Sequence, residues 1–179
     1  MGANSAAWAL TMRERLGLDL EPAAISRAIV AEVVERYRRE GPPTIEGAIE
    51  TVRRVAAAHQ VAVASSAHRD VIDAALAAIQ LTEVFAVVVS SDEVAHGKPA
   101  PDVYLETARR LGADPGACLV VEDSYNGVLA AKAAGMTVVL VPNASVPPAA
   151  GTRELADVVL DRLAELDPSA IMRSGTGRP

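Results

Sequence analysis

The apolar run Leu119-Val120-Val121 ends abruptly in two adjacent carboxylates, Glu122 and Asp123, followed by the hydroxyl residue Ser124. A run this short and this apolar reads as a parallel strand buried on both faces. Behind it, Tyr125-Asn126-Gly127-Val128 opens an Ala-rich helical pattern that continues through Lys132 to Gly135. Strand followed by helix is the repeating unit of an open α/β sheet, whose ligands sit beyond the carboxyl ends of the strands. Glu122 and Asp123 stand at that address. Paired oxygen ligands there suit Mg²⁺, which takes one or two protein carboxylates and completes its shell with water and substrate phosphate. The plainer reading is that Asp123 or Ser124 caps the next helix.

The chain around this stretch keeps the same alternation from residue 44 onward. Before it, residues 4–16 read as a helix with Trp8, Met12 and Leu16 about a turn apart, ended by Gly17. Pro22 suits a first helical turn, and Ile25, Ile29, Val33 and Tyr37 carry a second helix to Glu40. Gly41-Pro42-Pro43 is a hard break. A helix over 45–59 then precedes the strand Val61-Ala62-Val63-Ala64, which ends at Ser65-Ser66. A helix over 69–79, a strand over 84–89, a helix to Leu111, the strand into Glu122 and a helix to Ala134 follow. Strands over 137–141 and 158–160 and a short helix over 161–166 close the pattern. The prediction is an α/β fold with a Rossmann-like parallel sheet core. Residues 1–41 form a helical hairpin, 42–171 the core, and 172–179 a fraying tail.

Composition narrows the partners. The 179 residues carry a net charge of −6 with no basic run or aromatic platform, which argues against nucleic acid. No window has the uncharged apolar length to cross a bilayer, and the N-terminus lacks the layout of a signal peptide. The lone Cys118 excludes an intrachain disulfide and reads as a buried, inert thiol in a reducing compartment. A cytoplasmic protein without a membrane partner is expected; the oligomeric state is left open. Of 17 basic residues only two are lysines, Lys98 and Lys132. In an arginine background, a lysine points to a need for a compact ammonium that a planar guanidinium does not meet.

Polar groups from three strand ends are placed to converge: Ser65, Lys98, and the pair Glu122 and Asp123. Each has a plainer role, Ser65 and Ser66 as helix caps and Lys98 as a solvated charge. Pro99 and Pro101, however, restrict the loop that carries Lys98 and favour a placed lysine. A hydroxyl, an ammonium and two carboxylates together make a phosphate-plus-Mg²⁺ site. His68 and His96 lie near the same face, but neither has a second ligand at a metal-like spacing, so no zinc site is expected.

The segments Val61-Ala62-Val63-Ala64-Ser65-Ser66, Gly97-Lys98-Pro99-Ala100-Pro101-Asp102 and Val120-Val121-Glu122-Asp123-Ser124-Tyr125-Asn126-Gly127 resemble the second, third and fourth motifs of the haloacid dehalogenase superfamily. The nearest branch is that of the β-phosphoglucomutase-like phosphatases. Residues 2–41 resemble part of that branch's helical cap, and 156–160 its last strand. The resemblance implies that Ser65, with backbone N–H groups near Ser66 and Ala67, holds a phosphoryl oxygen. It gives Lys98 the tasks of neutralising phosphate and holding the nucleophile. Asp123 would bind Mg²⁺ directly, and Glu122 directly or through water. The implied activity is Mg²⁺-dependent hydrolysis of a small phosphorylated metabolite such as a sugar phosphate, with an aspartate as covalent nucleophile. A phosphomutase is the enzyme alternative, and a phosphate- or partner-binding pseudoenzyme the non-catalytic one. A dehalogenase fits less well, because that chemistry needs no Mg²⁺.

One departure is large. The family's first motif, Asp-x-Asp-Gly, lies on a strand ahead of the cap, and no Asp-x-Asp occurs in this sequence. That strand belongs in mid-sheet, between the strands ending at Ser65 and at Glu122. The expectation is an N-terminally truncated chain that lacks its nucleophile, is inactive alone and binds Mg²⁺ weakly. Its sheet should lack the central strand, with a slot favoured over direct pairing of the neighbours.

Overall fold

The structure, a computed structural model, describes residues 5–175, with side chains from 9 to 173. The helices are α1 (Ser5–Leu16), α2 (Pro22–Glu40), α3 (Ala48–Ala56), α4 (Arg69–Ala78), α5 (Asp102–Leu111), α6 (Tyr125–Ala133), α7 (Thr152–Leu155) and α8 (Pro168–Gly175). The strands are β1 (Ala62–Ser65), β2 (Val87–Ser90), β3 (Leu119–Glu122), β4 (Thr137–Leu140) and β5 (Val158–Val159). The side chain of Trp8, and residues 1–4 of the predicted hairpin, lie outside the described residues. None of the described helices is long and apolar enough to cross a membrane.

Three boundaries differ from the sequence reading for local reasons. The helix expected from residue 45 starts at Ala48, because Gly47 takes a left-handed φ of 73° that other residues rarely adopt. The strand expected from Val84 starts at Val87. Val84 instead closes a turn, its N–H donating to the Leu81 carbonyl at 3.1 Å, and it packs with Phe85 around Ile72, Leu76 and Leu81. Their hydrophobicity serves the core without extending the strand. Where a frayed tail was expected from Met172, α8 continues to Gly175, anchored by Ile171 against Leu166. The four-residue α7 has no sequence period long enough to announce it.

All strand pairings among the described residues are parallel apart from an isolated antiparallel bridge between Asn143 and Val146, but the sheet is split. β1 pairs with β2 in the register Ala62↔Val87 to Ser65↔Ser90. β3, β4 and β5 form a second sheet, with Leu119↔Thr137 to Glu122↔Leu140 between its first two strands. Among the described residues no pairing joins β1 to β3, and no strand precedes Ala62. The slot is therefore what the fold contains. Alternation in a parallel ladder decides which backbone groups face it. The Cys118 and Glu122 carbonyls accept from Thr137 and Val141, so Leu119 and Val121 point the other way, into the slot. The Val61 carbonyl accepts from Ala86, which turns Ala62 and Ala64 toward the slot from the opposite side.

Helices hold the two halves together from both faces. On one face α5 packs against β1 and β2 and touches α6, which covers β3 and β4. On the other, α3 straddles the divide: Ile49 and Val52 pack with the β1–β2 side, and Val55 with Leu119 and Val139 on the other. Arg54 of α3 adds a tie, its guanidinium donating to the Leu166 carbonyl at 2.9 Å. α2 lies along α4 and buries Ile25, while Leu10, Leu16 and Leu20 of the hairpin stay exposed.

This split makes a residue-level prediction for amide hydrogen exchange. Within β3, the Val120 and Glu122 N–H groups, which face β4, should be protected. Those of Leu119 and Val121 should exchange on the order of a hundredfold faster. Equal protection of both rows would mean that the halves pair directly.

Candidate active site

The strand end at Ser65 is turned by its own side chain. Ser65 Oγ accepts from the Ala67 N–H at 3.1 Å, and the Ala67 carbonyl accepts from Ser90 Oγ at 2.7 Å. Ala67 is thus committed on both sides within the turn and does not line the cleft, whereas Ser65 and Ser66 do. The sequence reading gave Ala67 a phosphate-facing N–H; the turn uses that donor to orient the Ser65 hydroxyl.

The loop carrying Lys98 is stapled by Asp102 as well as stiffened by prolines. Asp102 Oδ1 accepts from the His96 N–H at 3.2 Å and lies 3.0 Å from His96 Nδ1. The side-chain contact with His96 holds the Asp102 carboxyl below its usual range. His96 is thereby a loop-fixing residue. Among the described residues no group of three or more His, Cys, Asp and Glu side chains is arranged to hold a metal. Cys118 is half-buried, with its thiol pushed up by burial.

Lys98 is only 8% exposed, and all three of its ammonium protons have acceptors. Nζ donates to Glu122 Oε1 at 2.5 Å, to the Tyr104 hydroxyl at 2.8 Å and to the Ala64 carbonyl at 3.1 Å. It also lies 4.6 Å from the Tyr104 ring centroid. Ala64 belongs to one half-sheet and Glu122 to the other, so this cation bridges the slot.

Glu122 is equally committed. Besides Lys98, its Oε1 accepts from the Tyr104 hydroxyl at 2.6 Å. Its Oε2 accepts from Ser124 Oγ at 2.9 Å and from the N–H groups of Asp123 and Ser124 at 3.1 and 3.2 Å. Ser124 Oγ in turn accepts from the Gly127 N–H at 3.1 Å, so the helix-cap reading of Ser124 holds too. A Cβ at Gly127 would collide with the Glu122 carboxyl group, which is why this first-turn position has none. The expected role of Glu122 was to bind Mg²⁺ directly or through water; its two oxygens accept five hydrogen bonds, against about four lone-pair sites on a carboxylate.

The two neighbouring carboxylates are driven apart electrostatically. Burial raises the Glu122 carboxyl, but the Lys98 charge and hydrogen bonds from Lys98, Tyr104 and Ser124 outweigh it and leave it below its usual value. Asp123 is held above its usual value by burial and by the Glu122 charge, opposed in part by a hydrogen bond from Asn143. Burial and the Glu122 charge push the Tyr104 hydroxyl far up, so it stays a neutral donor.

Ser65, Ser66, Lys98, Glu122 and Asp123 line one cleft of about 390 Å³ at the open end of the slot. Among the described residues none of α1 or α2 lines it. Val121, 39% exposed, forms part of its wall. Sequence reasoning missed Tyr104 and Asn143. Tyr104 had a faint signal as one of five aromatic residues in the chain, six residues beyond Lys98; Asn143 follows the strand after the carboxylate pair.

Breaking the buried pair should be costly. Lys98→Met is expected to lower the unfolding free energy by about 3–5 kcal/mol, because it leaves the Glu122 charge uncompensated. Gly127→Ala should destabilise through the same carboxylate. The two losses, measured by urea unfolding, should therefore add to less than their sum; full additivity would separate Gly127 from the Lys98–Glu122 pair.

Comparison with known proteins gives the family. The chain is 38% identical over 138 residues to Protein CbbY of Rhodobacter capsulatus, spanning 73% of this chain and 61% of that protein. It is 36% identical over 123 residues to the Fructose-1-phosphate phosphatase YqaB of Escherichia coli, spanning 68% of this chain and 63% of that protein. Among solved structures, CbbY from Rhodobacter sphaeroides in complex with phosphate superposes with a TM-score of 0.71 at 32% identity, over 87% of this chain and 70% of that one. The chain spans less than two thirds of the length of these curated relatives. The profile described as Haloacid dehalogenase-like hydrolase matches residues 11–141, and the chain belongs to that family.

Proposed function

We propose that the chain forms the phosphate- and Mg²⁺-binding part of a phosphatase site for small phosphorylated metabolites, sugar phosphates among them. The observation that carries this is the convergence of Ser65, Ser66, Lys98, Glu122 and Asp123, from two strand ends and the loop after a third strand, on one cleft. The name of the Escherichia coli relative, a fructose-1-phosphate phosphatase, and the phosphate in the solved CbbY support the substrate class.

Charge balance supports the metal. Lys98 is neutralised by Glu122, which leaves Asp123 to make the cleft floor net negative. Such a floor repels a phosphate until a divalent cation reverses its sign. Asp123 is a half-buried hard-oxygen donor, which fits Mg²⁺. Bound there, Mg²⁺ would neutralise and orient phosphoryl oxygens. With one available protein carboxylate, its affinity is weak in the absence of phosphate. In this reading Ser65 Oγ, oriented by the Ala67 N–H, donates to a phosphoryl oxygen, and the Ser66 N–H is a second donor. Glu122 acts by holding Lys98. The aspartate nucleophile belongs to a strand seated in the slot, so residues 1–179 bind phosphate without turning it over.

Calorimetric titration tests the reading. Inorganic phosphate should bind the chain only with MgCl₂ present, and Asp123→Asn should abolish that dependence. Lys98→Arg should weaken phosphate binding although charge is kept, because a planar fork does not reproduce a three-proton ammonium. Hydrolysis of a sugar phosphate by residues 1–179 alone would overturn the assignment of the nucleophile to a further strand.

A further inference from the structure

We infer that Tyr104 is a positioning residue of this cleft: its hydroxyl determines where the Lys98 ammonium stands. The inference rests on the phosphate-site reading above and adds to it a residue that never touches the ligand. Tyr104 is 5% exposed, sits in the core beside Val103 and Val120, and is absent from the cleft wall.

The geometry fixes the direction of each bond. Lysine ammonium is donor-only and an ionised carboxylate acceptor-only, whereas a phenol does both. The Tyr104 proton therefore goes to Glu122 Oε1 at 2.6 Å, and a lone pair of the same oxygen receives Lys98 at 2.8 Å. The ammonium is triangulated from three elements: the Ala64 carbonyl of β1, Glu122 at the end of β3, and Tyr104 on α5. A lysine stem has several rotamers, and two partners on opposite sides of an open slot leave it free to swing between them. The third partner, on the helix beneath, removes that freedom. The hydroxyl also holds Glu122 Oε1 in place, so both members of the pair refer to one rigid atom. Packing alone needs only the ring, which makes Tyr104→Phe the informative change.

The chain has only two lysines, so ¹⁵N-lysine labelling gives two ammonium signals, with Lys132 as the internal reference. Y104F should speed proton exchange at the Lys98 ammonium about tenfold, the order expected for losing one hydrogen bond to a charged group, and leave Lys132 unchanged. It should also raise the dissociation constant for inorganic phosphate, measured with MgCl₂, by about the same factor. Replacing the tyrosines with 3-fluorotyrosine keeps the ring and weakens the oxygen as an acceptor. It should move Lys98 exchange in the same direction, and it covers a Phe variant that does not fold. Unchanged Lys98 exchange in the folded variants overturns the inference whatever phosphate does. Faster exchange with unchanged phosphate binding overturns the link between Lys98 placement and the site. Faster exchange in a chain whose wild type binds no phosphate overturns the phosphatase reading and leaves the positioning of Lys98 standing.

Discussion

The ion pair between Lys98 and Glu122 ties together two half-sheets that share no backbone ladder. A buried pair is stabilising only when its geometry and its remaining hydrogen bonds offset the loss of hydration. Here every polar valence of both groups is used, by Tyr104, Ala64, Ser124 and two backbone N–H groups. The surrounding features make sense as supports of this pair. The Asp102 staple and the prolines set the Lys98 loop, and Gly127 leaves room for the Glu122 carboxylate.

That arrangement divides labour between two adjacent acids. Glu122, paired with a cation, carries its charge easily; Asp123, half-buried beside a like charge, carries it reluctantly. Neighbouring groups pushed in opposite directions have different tasks. The acid that holds its charge at a cost gains most from a cation of its own, and it is also the one whose oxygens are not already filled. The strand geometry agrees, since successive side chains at a strand end point in opposite directions and only one of two neighbours turns inward.

The large features of this fold were legible in the sequence because they are periodic or compositional. Parallel strands show as short Val-rich runs, α2 as an apolar stripe, and the cleft as polar residues at and just beyond strand ends. Lys98 stood out because arginine serves nearly every other cationic position. What was not legible depends on side-chain direction. The motif at Glu122-Asp123 reads the same whether both acids face the cleft or one turns inward, and the inward turn is set by Lys98 and Tyr104, 24 and 18 residues away. Ala67 shows a related effect: its N–H lies at the strand end, and Ser65 Oγ accepts from it. The Val84-Phe85 pair misled because a core turn and a buried strand have the same composition.

The slot is bridged by the same cation. Ala64 and Val121 present backbone groups to it from opposite sides, and such groups need partners. Direct pairing of β1 with β3 would supply them by bringing an N–H of β3 to the Ala64 carbonyl. Lys98 already occupies that carbonyl and links it to Glu122 across the divide. At the Ala64–Glu122 end the divide is therefore spanned by a side chain and not by a ladder. At the other end Ala62 and Leu119 turn their backbone groups to the divide, and no side chain bridges them among the described residues. Groups left open in that way need partners from water or from another extended segment.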